Sequence, residues 1–142
     1  MKVRTPAALS GSLLLLLSLV LLSCEHQSPI TAPPVQVQPT LSSIQTNIFT
    51  PKCAIPGCHV NGGGAPMSLQ ANASFNNLVN VNSTTSNPAG VRVTPNNAAN
   101  SILYLRVSGN TRGPQMPTTG QKLSGDELSA IQTWINNGAQ NN

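Results

Sequence analysis

Cys53-Ala54-Ile55-Pro56-Gly57-Cys58-His59 is the stretch whose reading decides the fold. Two thiols and an imidazole fall within seven residues, and His59 follows the second thiol directly. Four residues separate the cysteines. Among them Pro56-Gly57 is a turn-forming pair, the proline with its φ preset and the glycine free to take a positive φ. Several ordinary chemistries are open to such a stretch. The thiols can join as a disulfide, which an exported chain permits. With His59 they can supply three ligands to zinc, the fourth coming from His26 or Cys24. They can also stay a free, buried thiol pair.

A further chemistry fits the adjacency of Cys58 and His59. In the pattern Cys-x-x-Cys-His, the thiols add across the two vinyl groups of a haem and the histidine becomes the proximal iron ligand. Here the gap is four residues instead of two. The Cys58-His59 pair is the part that geometry constrains most, and a longer loop between two thioethers can bulge away from the porphyrin edge. We read the stretch as a haem attachment site with a lengthened loop.

Outward toward the N-terminus, residues 1–23 read as a secretory signal. Lys2 and Arg4 precede an apolar run that is too short to be a convincing membrane span. The run ends Leu21-Leu22-Ser23-Cys24, which resembles the bacterial lipobox. That resemblance implies acylation of Cys24 as the new N-terminus, and several acyl chains make a stable anchor. Glu25 does not match the Asp commonly linked to inner-membrane retention, which points to the outer membrane. With Cys24 assigned to lipid, Cys53 and Cys58 are the remaining pair of the three cysteines. Residues 24–39 hold four prolines and no helical pattern, so they read as an extended tether. Its reach is on the order of 45 Å at about 3.1 Å per residue. His26 beside the anchor reads as a solvent-exposed, idle imidazole.

Composition narrows the functions. From residue 24 onward five basic residues face three acidic ones, a net charge of +2. No basic stripe or aromatic platform is present, so nucleic-acid binding has no support. The carboxylates are Glu25, Asp126 and Glu127; each has a local explanation in tether or helix cap, leaving no acid or base for catalysis. Phe49, Phe75, Tyr104 and Trp134 are the only aromatic rings. A domain of about 100 residues is small for a self-sufficient core, and a buried porphyrin would add the missing apolar volume.

Along residues 40–139 the pattern predicts an all-α domain with long loops. Thr40 or Ser42 caps a first helix to about Thr50, with Leu41, Ile44, Ile48 and Phe49 on one face and Pro51 ending it. Gly62-Gly63-Gly64 lacks the lysine and the spacing of phosphate-binding loops. It reads as a flexible segment that lets backbone pass close to a flat cofactor. A short helix is expected within Ser68–Val79, with Phe75, Leu78 and Val79 on its apolar side, then loop over 80–100. A helix follows over Ile102–Val107, lengthened by Ala98-Ala99 and closed by Gly109. After the rigid loop Gly113-Pro114-Gln115-Met116-Pro117 comes the clearest helix. Ser124 and Glu127 form a capping box, Asp126 suits the dipole, Leu128, Ile131 and Ile135 share a face beside Trp134, and Gly138 stops it.

Taken together, the chain from about Thr40 to Ala139 resembles a small c-type cytochrome domain. Phe49 stands four residues before Cys53, where that family commonly has an aromatic in its first helix. Met116-Pro117 matches the distal methionine that precedes the last helix, and Leu123 to Ala139 matches that helix. The resemblance implies one covalent haem c on Cys53 and Cys58, with His59 as proximal and Met116 as distal iron ligand. It also implies that the first helix packs on the last near Phe49 and Trp134. Met67, eight residues from His59, is the other candidate for the distal position. Either methionine can instead fill a gap in an apolar core. The expected function is electron transfer, not catalysis, with redox proteins of the cell envelope as partners. Two alternatives stand beside it: a haem-based ligand-binding or sensor module, and a haem-free structural lipoprotein with a Cys53–Cys58 disulfide.

Overall fold

A computed structural model describes residues 36–110 and 112–142. The export signal, Cys24, His26 and most of the Pro-rich tether lie outside the described residues. Over the described residues the regular structure is helical, and extended pairing is confined to two isolated bridges. Among them no helix is long and apolar enough to cross a membrane.

Helix α1 spans Leu41–Ile44, and the Thr40 hydroxyl accepts the Ser43 N–H at 3.3 Å, so Thr40 is the cap. From Gln45 to Cys53 the helix continues with the wider π pattern. The sequence predicts that Pro51 ends the helix, and this is corrected: Pro51 lies inside it. Proline breaks an α-helix because it lacks an N–H and its ring presses on the carbonyl four residues back. A π-turn pairs residues five apart, so that carbonyl is no longer aligned under the ring. The Ala54 N–H then closes the last turn on the Phe49 carbonyl at 2.7 Å. The helix therefore runs into Cys53 itself. Leu41, Ile44, Ile48 and Phe49 face the core, as their spacing predicts.

Helix α2 is shorter than the segment expected to hold it, Ser74–Leu78, with Leu78 fully buried and Phe75 and Val79 partly so. Residues 80–100, expected as loop, take part in two short pairings, Val93 with Val79 just before them and Asn82 with Val91. Alternation explains them. In extended backbone successive side chains point to opposite faces, so Val93 enters the core while Arg92 turns elsewhere.

Helix α3 covers Ile102–Ser108 and ends at Gly109, which takes the left-handed conformation (φ 83°) that glycine adopts without strain. Ala98-Ala99 do not lengthen it. They belong to a separate 3-10 turn, Ala98–Asn100, because Ser101 is extended and uses its hydroxyl on the backbone of Thr94 and Asn97.

Helix α4 is Gly125–Asn136. Both halves of its capping box form: Ser124 Oγ accepts the Glu127 N–H at 3.3 Å, and Glu127 Oε2 accepts the Ser124 N–H at 2.9 Å. At the far end Ala139 N–H donates to the Trp134 carbonyl and Gly138 N–H to that of Ile135, the paired bonds of a Schellman stop. The first and last helices meet. Asn142 accepts the N–H groups of Leu41 and Ser42, satisfying orphan donors at the start of α1. Phe49 and Trp134 are fully buried in the same core cluster.

Candidate functional site

The lengthened loop has a defined shape. Cys58 N–H donates to the Ile55 carbonyl at 3.0 Å across Pro56-Gly57, and Gly57 sits at φ 80°. Proline second and a positive-φ glycine third make this a type II turn. The His59 N–H then donates to the Cys53 carbonyl at 3.0 Å, closing the loop at its base. Pro56 and Gly57 form the exposed tip of this turn, and a Cβ on Gly57 would meet no atom within 4 Å.

Gly63 is the glycine of the following run that the fold requires most. A Cβ there would lie 2.2 Å from the Cys58 carbonyl oxygen. The close approach is thus to the chain's own backbone, folding residues 60–64 back over the Cys58-His59 pair, while Gly57 and Gly64 border the cavity described below.

The His59 imidazole is held by a strap, Met67 to Leu69. Its Nδ1 lies 3.2 Å from the Met67 carbonyl, and a carbonyl can only accept, so Nδ1 carries the proton. The Leu69 N–H donates to the His59 carbonyl at 2.8 Å. Nε2 is left as the lone-pair nitrogen, with no hydrogen bond to the described residues. Burial pulls the His59 pKa below its ordinary value, the Met67 bond opposes this, and the nearby Arg106 and Arg92 charges add to the lowering. The ring is neutral at neutral pH, the form in which histidine binds metals.

His59 opens onto a cavity of about 390 Å³, within the range of about 300–1,000 Å³ usual for small-molecule sites. Cys53, Cys58, Met67 and Met116 line it as well. Its apolar walls come from Leu69, Leu78, Ile102, Leu103 and Val107. Met116 arrives on the loop after α3, where its N–H donates to the Arg106 carbonyl at 2.9 Å. Met67, which also lines the cavity, has its main-chain carbonyl bonded to His59 Nδ1.

Both cysteines are free and half-buried. Burial pushes the Cys53 thiol up to about 11; Lys52 opposes the rise, and Glu127 and Cys58 add to it. Lys52 donates to Glu127 Oε1 at 2.5 Å, so the residue before Cys53 is locked to the start of α4. Among the described residues no three His, Cys, Asp or Glu side chains are grouped to hold a metal ion.

Every site residue read from the sequence that falls within the described residues reaches this one cavity, although Met116 is 57 residues beyond His59. Sequence reading missed Arg92, Arg106 and Lys52, which also line it. The Arg92 guanidinium donates to the Asn77 carbonyl and that of Arg106 to the Thr85 carbonyl, each at 2.8 Å. A signal existed: the chain has seven Lys and Arg but only three carboxylates, so most cations must find other partners.

These residues fit a haem by donor chemistry: two free thiols, a neutral imidazole with its Nε2 lone pair unengaged, a thioether, apolar walls, and two guanidinium groups suited to carboxylates. No protein-family model, curated protein or solved structure matches the chain.

Proposed function

We propose that this chain is an electron-transfer protein of the c-type cytochrome kind, holding one covalent haem c and anchored to a membrane through acylated Cys24. One observation carries the proposal. Cys53 at the end of a helix, Cys58 and His59 in the loop that follows it, and Met116 from a distant loop border a single apolar-walled cavity.

A haem bound there would supply a one-electron ferrous–ferric couple. The chain's own residues do the rest. Cys53 and Cys58 offer the sulfurs for thioether bonds, and the type II turn between them absorbs the longer spacing. His59 presents Nε2 while its Nδ1–H is oriented by Met67. A histidine so oriented is a firmer ligand, because the carbonyl raises its basicity. Met116 offers a thioether, the ligand type that raises a haem potential. Leu69, Leu78 and Leu103 exclude water, and Arg92 and Arg106 provide cations for the carboxylates of the group. Partners are redox proteins of the envelope, met through brief contacts.

The test is to express residues 25–142 in a periplasm equipped for haem attachment, then measure mass and the pyridine haemochrome spectrum. The expected result is an added haem mass that survives denaturation, with the spectrum of two thioethers. A spectrum shifted toward one remaining vinyl would assign a single bond. A colourless protein, two hydrogens lighter than the bare polypeptide, would overturn the proposal and leave a disulfide-bonded structural lipoprotein. A coloured protein that binds carbon monoxide readily would indicate an open distal side and a sensor.

A further inference from the structure

Gln45 occupies a position where the helix faces the core, between Ile44 and Ile48, and only 7% of its surface is exposed. A buried amide is costly unless its polar atoms are bonded. Here they are. Nε2 donates to the Leu69 carbonyl at 2.9 Å and to Thr50 Oγ1 at 3.0 Å, and Oε1 accepts from Ser74 Oγ at 2.7 Å. Leucine at this place would satisfy the hydrophobic pattern without any such demand.

The partner that distinguishes this amide is the strap. Three consecutive carbonyls, of Met67, Ser68 and Leu69, are each taken by a side chain: His59, Asn77 and Gln45 in turn. His59 is bonded to the strap twice, through Nδ1 and through its own carbonyl. Gln45 ties the strap to the rigid helix that ends at Cys53. One helix thus fixes both a thiol and, at one remove, the imidazole.

We propose that Gln45 is a positioning residue for His59, setting the orientation of its ring and the strength of its Nδ1–H bond through the backbone of Met67–Leu69. The inference rests on the reading of His59 as an iron ligand for one of its two readouts only. Gln45→Met keeps the volume and removes the donor to Leu69. In the full chain made without attached haem, nitrogen-15 spectra are expected to show the Nδ1–H signal of His59 lost to solvent exchange. In the haem-loaded chain the reduction potential is expected to rise, because an imidazole with a weaker Nδ1–H bond is a poorer donor to iron. Ser74→Ala is the matched control. It removes a hydrogen bond of the same amide but leaves the Leu69 bond, so it should lower the melting temperature without moving either readout.

If both variants lower the melting temperature and neither moves the ring signal or the potential, the role is structural and the proposal fails. Should Gln45→Met not fold, the unaltered chain still decides. The Gln45 amide protons and the His59 Nδ1 proton should exchange through one opening step, with the same dependence on denaturant. Separate openings would overturn the proposal. A colourless product would sink the haem reading and leave the ring measurement standing. A coloured product indifferent to Gln45→Met would sink this inference alone.

Discussion

His59 and Met116 are legible as residues because their chemistry is uncommon in this chain. Two histidines and three methionines among 142 residues leave few alternatives. On the haem reading proposed above, replacing Met116 with Ala is expected to leave one side of the iron open, giving rapid carbon monoxide binding and a lower reduction potential, both read optically. Cys53 makes a second prediction. With its thiol pushed up to about 11, the thiolate is scarce at neutral pH. Alkylation of Cys53 in the haem-free, folded chain should be slow at pH 8 and accelerate toward pH 11, and denaturant should abolish the delay. Fast labelling at pH 8 in the folded chain would contradict the burial. Gln45 and Arg92 were not legible in the same way. Each bonds a backbone carbonyl of a distant segment, Leu69 for Gln45 and Asn77 for Arg92, and no residue type announces a carbonyl that the fold delivers.

At the scale of elements, caps and apolar spacing located α4 and the start of α1 closely, since Ser124 and Glu127 mark the first turn of α4, Gly138 its stop and Thr40 the start of α1. Pro51 was misjudged for a physical reason. Sequence rules assume an α-turn at a proline, whereas here the helix widens and keeps going to Cys53. The pairing of Val79 with Val93 was hidden as well, because two bridges are too short to leave a periodic pattern. Gly63 supplies the test at this scale. Gly63→Ala places a methyl against the Cys58 carbonyl, where backbone must shift. Overpacking of this kind costs about 1–3 kcal/mol, measurable by denaturant unfolding. Gly57→Ala meets no neighbouring atom but faces a positive φ, so its cost should be that of conformation alone, about 1–2 kcal/mol.

For the molecule as a whole, the decisive link is Lys52–Glu127. Burial alone would raise the Glu127 pKa, but the bonds from Lys52 and Ser124 outweigh it and hold the carboxyl below its ordinary value. A depressed carboxyl stabilises the fold above the unfolded pKa of about 4.3, and that stabilisation is lost as pH falls through the lower folded value. Unfolding measured from pH 7 downward should therefore show stability declining below about pH 4.3. Glu127→Gln should flatten part of that decline, at a cost near pH 7 of about 2 kcal/mol for charged hydrogen bonds given up. An unchanged profile in Glu127→Gln would assign the acid sensitivity to other groups.

The same link has a consequence in time. Asn142 accepts the N–H groups of Leu41 and Ser42 at the start of α1, and Lys52, near the end of the helix that continues it to Cys53, is fastened to Glu127 of α4. A chain emerging from its N-terminus offers the first helix well before the groups that complete it. Residues 127 and 142 follow it in the chain, so Cys53 and Cys58 are both made before Glu127 and Asn142 exist to fasten their helix.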